Sequence, residues 1–457
     1  MTHQQFLCRK IYSNQQWKED QLISVDTDGM IVDISPANHN DSVTLLDGIL
    51  IPGFQNCHSH SFQYLIAGLT ETASNAPEDF WTWRQLMYKI TKIISPEDLY
   101  TITCTAYLDM LRAGYVSVTE FHYLHHPSDA DRYSDQAIMA KAIMEAANTV
   151  GINLCLVPVY YNRSGFGKNI LEEQKPFYSK NLESYLSLLS DIEEAGFSAN
   201  TVIGTGVHSL RAASLEDTKE ILNHPSSVAA RHIHIAEQVK EVSEFENIYR
   251  QRPVAWLLDN VDAPTSLVHA THLTQKEMEN LAKSHHTAVI CPTTEANLGD
   301  GIFPFVDYVK QGGFWSVGSD SQVCIDPLIE LQSMDYIQRL ITKRRNPIKA
   351  SDALPYSSGN HLFNQALANS ARSSSFKLDL SVGSQFTGLL LDPDSTDIYA
   401  VPNEKIFDCL IYKASQRSIK MIMNRGQVVL DKNTLINEGV IHSNYRTLKK
   451  RFSKSLH

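Results

Sequence analysis

IPGFQNCHSHSFQYLIAGLT, residues 51–70, carries the first indication of the fold. The apolar run at residues 48–51 predicts a buried strand, which a Pro-Gly turn ends. His58 and His60 follow with one residue between them, and alternate side chains of an extended segment point to the same side. Two imidazoles that converge on one point suit zinc or another borderline divalent ion. Two histidines spaced in this way, without other evidence, are more often polar loop residues. The hypothesis therefore requires further ligands elsewhere in the chain.

Composition indicates a globular chain with a sizeable core. Hydrophobic residues make up 43% of the 457 residues and charged residues 20%. The formal net charge of −11 argues against a nucleic-acid partner. The seven cysteines are scattered without a Cys-X-X-Cys pair, which favours a reducing compartment. No stretch resembles a signal peptide or a membrane span of about 20 apolar residues, so we expect a cytoplasmic protein with no membrane partner.

Both ends of the chain are predicted to be rich in β-strands. Short alternating runs within residues 1–50 surround a hairpin turn at Asp28 and Gly29. Three short apolar runs near the other end are also predicted as strands: residues 407–412, 419–423 and 427–430. Together they predict a small, discontinuous β-sandwich domain formed by residues 1–50 and 380–445. The basic residues 446–457 are predicted to be a solvated tail.

The middle of the chain, residues 51–379, alternates apolar runs with helical patterns. Eight such runs are predicted as strands: residues 48–51, 116–121, 153–160, 201–207, 232–236, 266–269, 288–291 and 314–318. Strands that alternate with helices form right-handed units with a parallel sheet. Eight units predict an α/β protein built on a (β/α)₈ TIM barrel, in which the chemistry lies at the C-terminal ends of the strands.

Polar residues of the same few types follow most of these predicted strands. In chain order they are His58 and His60, Glu120 and His122, His208 and Arg211, His234 and Glu237, His269 and His272, Glu295, and Asp320. A buried ring of acids and imidazoles would be costly unless a metal or a substrate satisfied it. The pattern therefore predicts a functional site at the mouth of the barrel.

Four of these residues form a set typical of a catalytic metal site, because three imidazoles and one carboxylate leave a position for water. They are His58, His60, His234 and Asp320. A metal bound in this way makes hydroxide available at neutral pH. Glu237 can move a proton to a leaving nitrogen, and His269 can polarise the water or the tetrahedral adduct. Asp320 can accept the proton of the water.

A segment at residues 76–94 carries one arginine, Arg84, among aromatic and apolar residues. The segment could be a helix that packs its aromatic face on the barrel. It could equally capture an anion, because a guanidinium matches the geometry of a carboxylate. The spacing of the residues leaves both interpretations open.

The order of histidines and acids along the chain resembles the amidohydrolase superfamily in its mononuclear, deaminase-like branch. No lysine follows the fourth predicted strand, where the binuclear branch carries one. Longer stretches resemble the formimidoylglutamate deiminase family within that superfamily, among them CHSHSFQYLIAGLTE at 57–71, HIHIAEQ at 232–238, CPTTEANLGDGIFP at 291–304 and GSDSQV at 318–323.

The resemblance implies a barrel of the metal-dependent hydrolase type that acts in histidine degradation. It would hydrolyse N-formimino-L-glutamate, a small dicarboxylate, to N-formyl-L-glutamate and ammonia. The resemblance implies one divalent metal per subunit, which we expect to be Zn²⁺, with Fe²⁺ or Ni²⁺ as alternatives. It also implies a homodimer. Metal ligands would be His58, His60, His234 and Asp320, catalytic residues Glu237, His269 and Asp320, and substrate-binding residues Gln63, Arg84, Tyr123, His208 and Arg211.

Three other functions are weighed against this one. A related aminohydrolase could act on another amidine or on a nucleobase, although Arg84 and Arg211 suit a dicarboxylate better. Cleavage to glutamate and formamide is typical of an unrelated two-manganese family with Asp-rich motifs, which are not evident here. A non-catalytic barrel would serve as a scaffold, but such proteins typically lose metal ligands that this chain retains.

Overall fold

The computed structural model describes residues 4–37, 43–71, 80–127, 133–224, 229–348, 357–431, 434–435 and 438–456. Its strands are β1 (Gln4–Ser13), β2 (Gln16–Val25), β3 (Ile31–Pro36), β4 (Thr44–Pro52), β5 (Phe54–Ser59), β6 (Tyr115–His122), β7 (Asn153–Tyr160), β8 (Thr201–Ile203), β9 (Thr205–Ser209), β10 (Arg231–Ile235), β11 (Ser266–His269), β12 (Thr287–Ile290), β13 (Phe314–Val317), β14 (Gly388–Leu391), β15 (Ile419–Asn424), β16 (Gln427–Asp431) and β17 (Thr434–Leu435).

The α-helices are α1 (Phe80–Thr91), α2 (Pro96–Ala113), α3 (Ile138–Val150), α4 (Leu182–Glu194), α5 (Leu215–Asn223), α6 (Val239–Tyr249), α7 (Pro253–Asn260), α8 (Gln275–Lys283), α9 (Pro292–Leu298), α10 (Phe305–Lys310), α11 (Pro327–Thr342), α12 (Ser358–Ser374), α13 (Ile406–Lys413) and α14 (Glu438–Leu456). Short 3₁₀ helices lie at Ser61–Leu65, Glu172–Phe177, Asn403–Lys405 and Gln416–Ser418. Among the described residues, no helix is both long enough and apolar enough to cross a membrane.

A parallel barrel occupies the middle of the chain. Its strands follow the order β5-β6-β7-β9-β10-β11-β12-β13, and the short β8 pairs with β7. A parallel bridge between Ser59 and Asp320 links the residues after β13 to β5. The predicted (β/α)₈ fold is thus confirmed, with β8 and β9 together in the position of the fourth predicted strand.

Strands from both ends of the chain form one separate sheet, in the order β17-β16-β15-β14-β4-β1-β2-β3. Its apolar side chains form their own small core, in which the rings of Phe6 and Phe386 lie 4.8 Å apart. The sheet is the small β domain that the sequence predicts. Its exact limits stay a prediction: β4 runs to Pro52, and α14 continues through residue 446, the predicted start of the tail.

Helix α2 shows how local sequence sets the elements around the barrel. Ser95 accepts a hydrogen bond from the backbone N–H of Asp98, and the Asp98 side chain accepts one from the N–H of Ser95. Pro96 suits the first helical position because its missing N–H would have no partner there. At the other end Gly114 adopts φ 102°, a left-handed conformation that favours glycine. The chain then turns directly into β6.

The prediction for the first barrel strand was wrong. Residues 48–51 belong to β4 in the small sheet, where Ile51 pairs with Leu389 of β14. The first barrel strand is β5, and all six of its residues are buried. Its sequence FQNCHS is mostly polar and therefore lacks the apolar signature of a strand. Its polar groups have partners inside the barrel: Asn56 Nδ2, for example, donates to Ser319 Oγ at 2.7 Å.

The predicted strand at residues 407–412 was also wrong, because these residues lie in helix α13. The buried residues Ile406, Phe407, Leu410 and Ile411 recur at helical spacing. Short apolar runs fit a strand or a buried helix equally well, and packing decides between them. Here Phe407 stacks on Phe363 of α12 with 3.9 Å between ring centroids.

Candidate active site

Four side chains converge at the C-terminal mouth of the barrel. His58 lies in β5, His60 follows it directly, His234 lies in β10 and Asp320 follows β13. One donor atom from each lies within 4.8 Å of the others. The Nε2 atoms of His58 and His234 are 2.9 Å apart, and Asp320 Oδ1 lies 3.5 Å from His58 Nε2 and 3.2 Å from His60 Nε2. All four side chains are buried.

This donor set fits a single divalent cation. His60 Nδ1 lies 2.9 Å from the carbonyl oxygen of Phe121, so this nitrogen carries the proton and Nε2 presents a lone pair to Asp320. Two facing lone pairs repel unless a cation lies between them. Donor atoms around a tetrahedral zinc lie about 3.3 Å apart, because each bond is about 2 Å long. The observed separations agree with that spacing.

Burial keeps His58 and His234 in the form that binds metals. It lowers the pKa of His58 to about 3 and the pKa of His234 well below its ordinary value. A neutral imidazole is the ligating form, so the site does not have to release protons from these two rings before it binds a cation.

Strained backbone at the strand ends aims several of these side chains. Ala236 after β10 has φ 52°, His269 at the end of β11 has φ 68° and Asp320 after β13 has φ 46°. Non-glycine residues rarely adopt this left-handed conformation, and it persists where the surrounding structure enforces it. The strain is concentrated at the barrel mouth, at the same strands that supply the acids and imidazoles.

The three predicted catalytic residues lie together. His269 Nε2 is 4.0 Å from Glu237 Oε1 and 3.8 Å from Asp320 Oδ2. Although burial alone would lower the pKa of His269, the carboxylates of Glu237, Glu295 and Asp320 raise it to about 10. The arrangement can therefore hold and move protons beside the donor set.

The five predicted substrate-binding residues line one cavity together with the predicted metal and catalytic residues other than His58. They are Gln63, Arg84, Tyr123, His208 and Arg211. Gln63 Nε2 donates to Tyr123 Oη at 3.0 Å. Arg84 and Arg211 are 8% and 5% exposed, so two guanidiniums reach a mostly enclosed space. Such a space favours a ligand with more than one anionic group.

Other residues at this end of the barrel have structural roles. Glu120 accepts hydrogen bonds from Ser59 Oγ at 2.8 Å and from the backbone N–H of Ser61 at 2.6 Å, so it fixes the segment that carries His60. His122 packs its ring 4.8 Å from that of His125. Neither residue lines the cavity.

Sequence reasoning missed the groups that hold Arg84. Tyr161 Oη accepts hydrogen bonds from Arg84 Nη2 at 2.8 Å and from Gln174 Nε2 at 2.9 Å. The Arg84 guanidinium carbon also lies 5.1 Å from the centroid of the Tyr88 ring. Tyr161 follows β7 directly, and that position at a strand end is the one signal in the sequence that could have identified it.

Comparisons with known proteins agree with this geometry. The sequence profile of the Amidohydrolase family matches residues 49–361. Formimidoylglutamate deiminase of Pseudomonas aeruginosa is 36% identical over 91% of this chain and 92% of its own length. A 5-methylthioadenosine/S-adenosylhomocysteine deaminase of Pelotomaculum thermopropionicum is 22% identical over 85% of this chain and 82% of its own.

Solved structures show the same architecture. An amidohydrolase from Brucella melitensis superposes with a TM-score of 0.89 at 32% identity, covering 98% of this chain and 99% of its own. An adenosine deaminase from Xanthomonas campestris with bound zinc has a TM-score of 0.78 at 19% identity, covers 98% of both chains, and supports the fold alone. The sequence profile, the similar proteins and the shared fold together show that the chain belongs to the amidohydrolase family.

Proposed function

We propose that this protein hydrolyses N-formimino-L-glutamate to N-formyl-L-glutamate and ammonia. One observation carries the proposal: two buried guanidiniums, of Arg84 and Arg211, line the same cavity as a donor set for one divalent cation. The 36% identical relative is named for this reaction, which is consistent with the proposal.

The charges of the cavity select the substrate class. A substrate with two carboxylates can pair each of them with one guanidinium, and charge-assisted bonds in a buried site are stronger than neutral ones. A nucleobase carries no carboxylate, so neither guanidinium would gain a charge-assisted contact from it. This argument favours a dicarboxylate over the adenosine-type substrates for which more distant relatives are named.

The chemistry requires one water and the movement of protons. The cation, when bound, activates the water for attack on the formimino carbon. Asp320 accepts a proton from the water, Glu237 delivers a proton to the terminal nitrogen, and His269 stabilises the charge that develops on the oxygen. The carbon–nitrogen bond to the terminal nitrogen breaks, ammonia leaves, and the carbon keeps the oxygen as a formyl group.

Zinc is the cation that we propose, because imidazole and carboxylate donors in this number are typical of catalytic zinc. Iron(II) and nickel(II) accept the same donors and are the alternatives. A homodimer and a cytoplasmic location, both expected from the sequence, stay predictions. Metal analysis of the purified protein tests the identity of the cation. Sedimentation, which measures the mass in solution, tests whether the protein is a homodimer.

The decisive experiment incubates metal-loaded protein with N-formimino-L-glutamate and measures ammonia, formamide and N-formylglutamate. We expect ammonia and N-formylglutamate in equal amounts. Glu237→Gln is expected to keep its metal and to lower kcat by at least about 10³-fold, whereas Glu246→Gln, exposed on helix α6 that follows Glu237, should match the wild type. Formamide as the product, or turnover of a different amidine alone, would contradict the proposal.

The carboxylate contacts have their own test. Arg84→Met and Arg211→Met are each expected to raise KM at least about tenfold, because each removes one charge-assisted contact. The effect should be smaller for a formimino compound that lacks one carboxylate, since one arginine would then make no carboxylate contact with the substrate. An unchanged KM in both variants would exclude this mode of substrate binding.

A further inference from the structure

We propose that Glu295 is a positioning residue, which fixes the ring of His269 and selects the nitrogen that faces the reaction. This inference rests on the proposed function, because it assigns Glu295 a task in that same site. Glu295 follows barrel strand β12, and the sequence pattern predicts no specific role for it.

The contacts of Glu295 lead in two directions. Its Oε1 accepts a hydrogen bond from the backbone N–H of Cys291 at 2.9 Å, and the same oxygen lies 3.3 Å from His269 Nδ1. The backbone N–H of Glu295 donates to the carbonyl oxygen of Cys291 at 2.9 Å. Glu295 is 5% exposed, so its carboxylate lies inside the protein, where one oxygen contacts both groups. It therefore joins the first turn of α9 to the end of β11.

The second ring nitrogen of His269 shows why this contact matters. His269 Nε2 faces Glu237 Oε1 at 4.0 Å and Asp320 Oδ2 at 3.8 Å. A carboxylate at Nδ1 requires a proton on that nitrogen, which leaves Nε2 as the atom directed at the reacting groups. Without a proton on Nδ1, two acceptors, Nδ1 and Oε1 of Glu295, would face each other.

The backbone of His269 needs such support. His269 and Ala270 adopt φ values of 68° and 46°, so two successive non-glycine residues lie in the left-handed region. The N–H of Ala270 donates to the carbonyl oxygen of Ile235 at 3.1 Å, which ties the backbone down. Glu295 holds the side chain in the same way.

His269, Cys291 and Glu295 also lie close enough to be considered as ligands of a second cation. Burial raises the pKa of the Cys291 thiol well above its ordinary value, so this group stays protonated, whereas a metal binds the thiolate. The Glu295 oxygen nearest His269 already accepts a backbone hydrogen bond. These facts favour a structural contact over a second metal.

Glu330 provides a matched control. It is fully buried, and it accepts hydrogen bonds from Thr293, which lies with Glu295 in the short helix α9. The Oε2 atom of Glu330 lies 3.0 Å from the Thr293 backbone nitrogen. In the described part of the chain, the hydrogen bonds of the Glu330 carboxylate come from Thr293 and not from His269. Glu295→Ala and Glu330→Ala therefore each remove a buried carboxylate that anchors α9, but only the first removes a partner of His269.

The experiment compares both variants after metal content and melting temperature have been measured for each. Per folded, metal-loaded molecule, Glu295→Ala is expected to lower kcat roughly 10–100-fold with KM nearly unchanged. Glu295→Gln should lose less, because its amide oxygen can still accept from Nδ1–H. Glu330→Ala should retain wild-type kcat. Equal losses in the two alanine variants would overturn the inference.

A double-mutant cycle with His269→Asn tests whether Glu295 acts through His269. Removing Glu295 from the His269→Asn variant should cost nothing further, whereas additive losses would contradict the inference. A crystal structure of Glu295→Ala adds a readout that needs no substrate. The His269 ring should turn away from its native position, and an unmoved ring would contradict the inference. If the wild type releases no ammonia, the proposed function fails, while the ring position still tests this inference.

Discussion

His58 and Asp320 are joined through their backbones as well as through the proposed cation. The N–H of Asp320 donates to the carbonyl oxygen of His58 at 3.0 Å, and the N–H of His60 donates to the carbonyl oxygen of Asp320 at 3.1 Å. These two bonds close the barrel between its last and first strands. Closure of the fold therefore also brings the proposed metal ligands together.

Gly318 makes this closure possible. Gly318→Ala is therefore expected to disrupt both the closure of the barrel and the binding of the metal. A Cβ at this position would lie 2.7 Å from the backbone nitrogen, the carbonyl oxygen and the Cβ of His58. The last strand would have to move away from the first, which separates the ligands. We expect a loss of bound metal and a lower melting temperature, measured by elemental analysis and calorimetry. Gly439→Ala is the control, since a Cβ there meets nothing within 4 Å; metal retention in Gly318→Ala would contradict the argument.

Removal of the metal is expected to destabilise the folded protein. Without a cation, the site holds three buried imidazoles around a carboxylate, and their donor atoms face one another. A ligand that binds only the folded state stabilises it by about 4 kcal/mol at 1,000 times its Kd. Dialysis against a chelator should therefore lower the melting temperature and abolish ammonia release, and zinc should restore both. Asp320→Asn should show a much smaller metal-dependent shift; an equal shift in that variant would mean that the cation binds elsewhere.

Tyr161→Phe is expected to weaken substrate binding without a comparable effect on the chemical step. The variant removes the hydroxyl that accepts from Arg84 at 2.8 Å, so the guanidinium loses an anchor. A hydrogen bond to a charged group contributes about 1.5–3 kcal/mol, which predicts a rise in KM of about tenfold or more. Tyr160→Phe is the matched control, because the hydroxyl of the preceding tyrosine donates instead to Asp217 at 2.8 Å. If kcat rather than KM changed, Arg84 would act in the chemical step and not in binding.

The sequence was sufficient to predict which polar side chains meet at the mouth of the barrel, because most of them lie at the ends of apolar strands, and the ends of parallel strands meet at one edge. His234 and Asp320 are clear examples. The contacts of Tyr161 and Gln174 with Arg84 and with each other could not be predicted, since they depend on how the connection between β7 and α4 packs against α1. Strand β5 was missed for a related reason: its polar residues have partners only once the barrel has closed. Pattern alone predicts where a strand ends, but not which polar groups its neighbours will satisfy.

The free energy of unfolding is expected to depend on pH through the carboxyl group of Glu241. The residue is buried in α6, its Oε1 accepts from the N–H of Ala236 at 3.3 Å, and burial raises its pKa to about 7, even though the charge of Arg211 opposes this. The folded state then binds more protons than the unfolded state between pH 4.5 and 7, so stability falls as pH rises through this window. The loss amounts to about 3 kcal/mol above pH 7.

Glu241→Gln mimics the protonated acid and should therefore be more stable than the wild type at pH 8, with a smaller difference at pH 5. Its amide oxygen can still accept the backbone hydrogen bond. Melting temperatures of both proteins at the two pH values check this. Glu246→Gln on the same helix reports the effect of removing an exposed carboxylate. A variant that is less stable than the wild type at pH 8 would show that the charged form of Glu241 is favoured.

Phe452→Ala is expected to destabilise the protein, because helix α14 is part of its packed structure. Phe452 is 2% exposed, Leu448 is also buried, and Arg451 forms an ion pair with Asp98 at the start of α2. Truncating a buried phenylalanine costs about 3–5 kcal/mol, which chemical denaturation would detect. Lys450→Ala, exposed on the same turn, should change stability by less than about 0.5 kcal/mol. If both variants unfolded like the wild type, the basic end of the chain would be a solvated tail in solution, and the apolar contacts of α14 would contribute nothing to the fold.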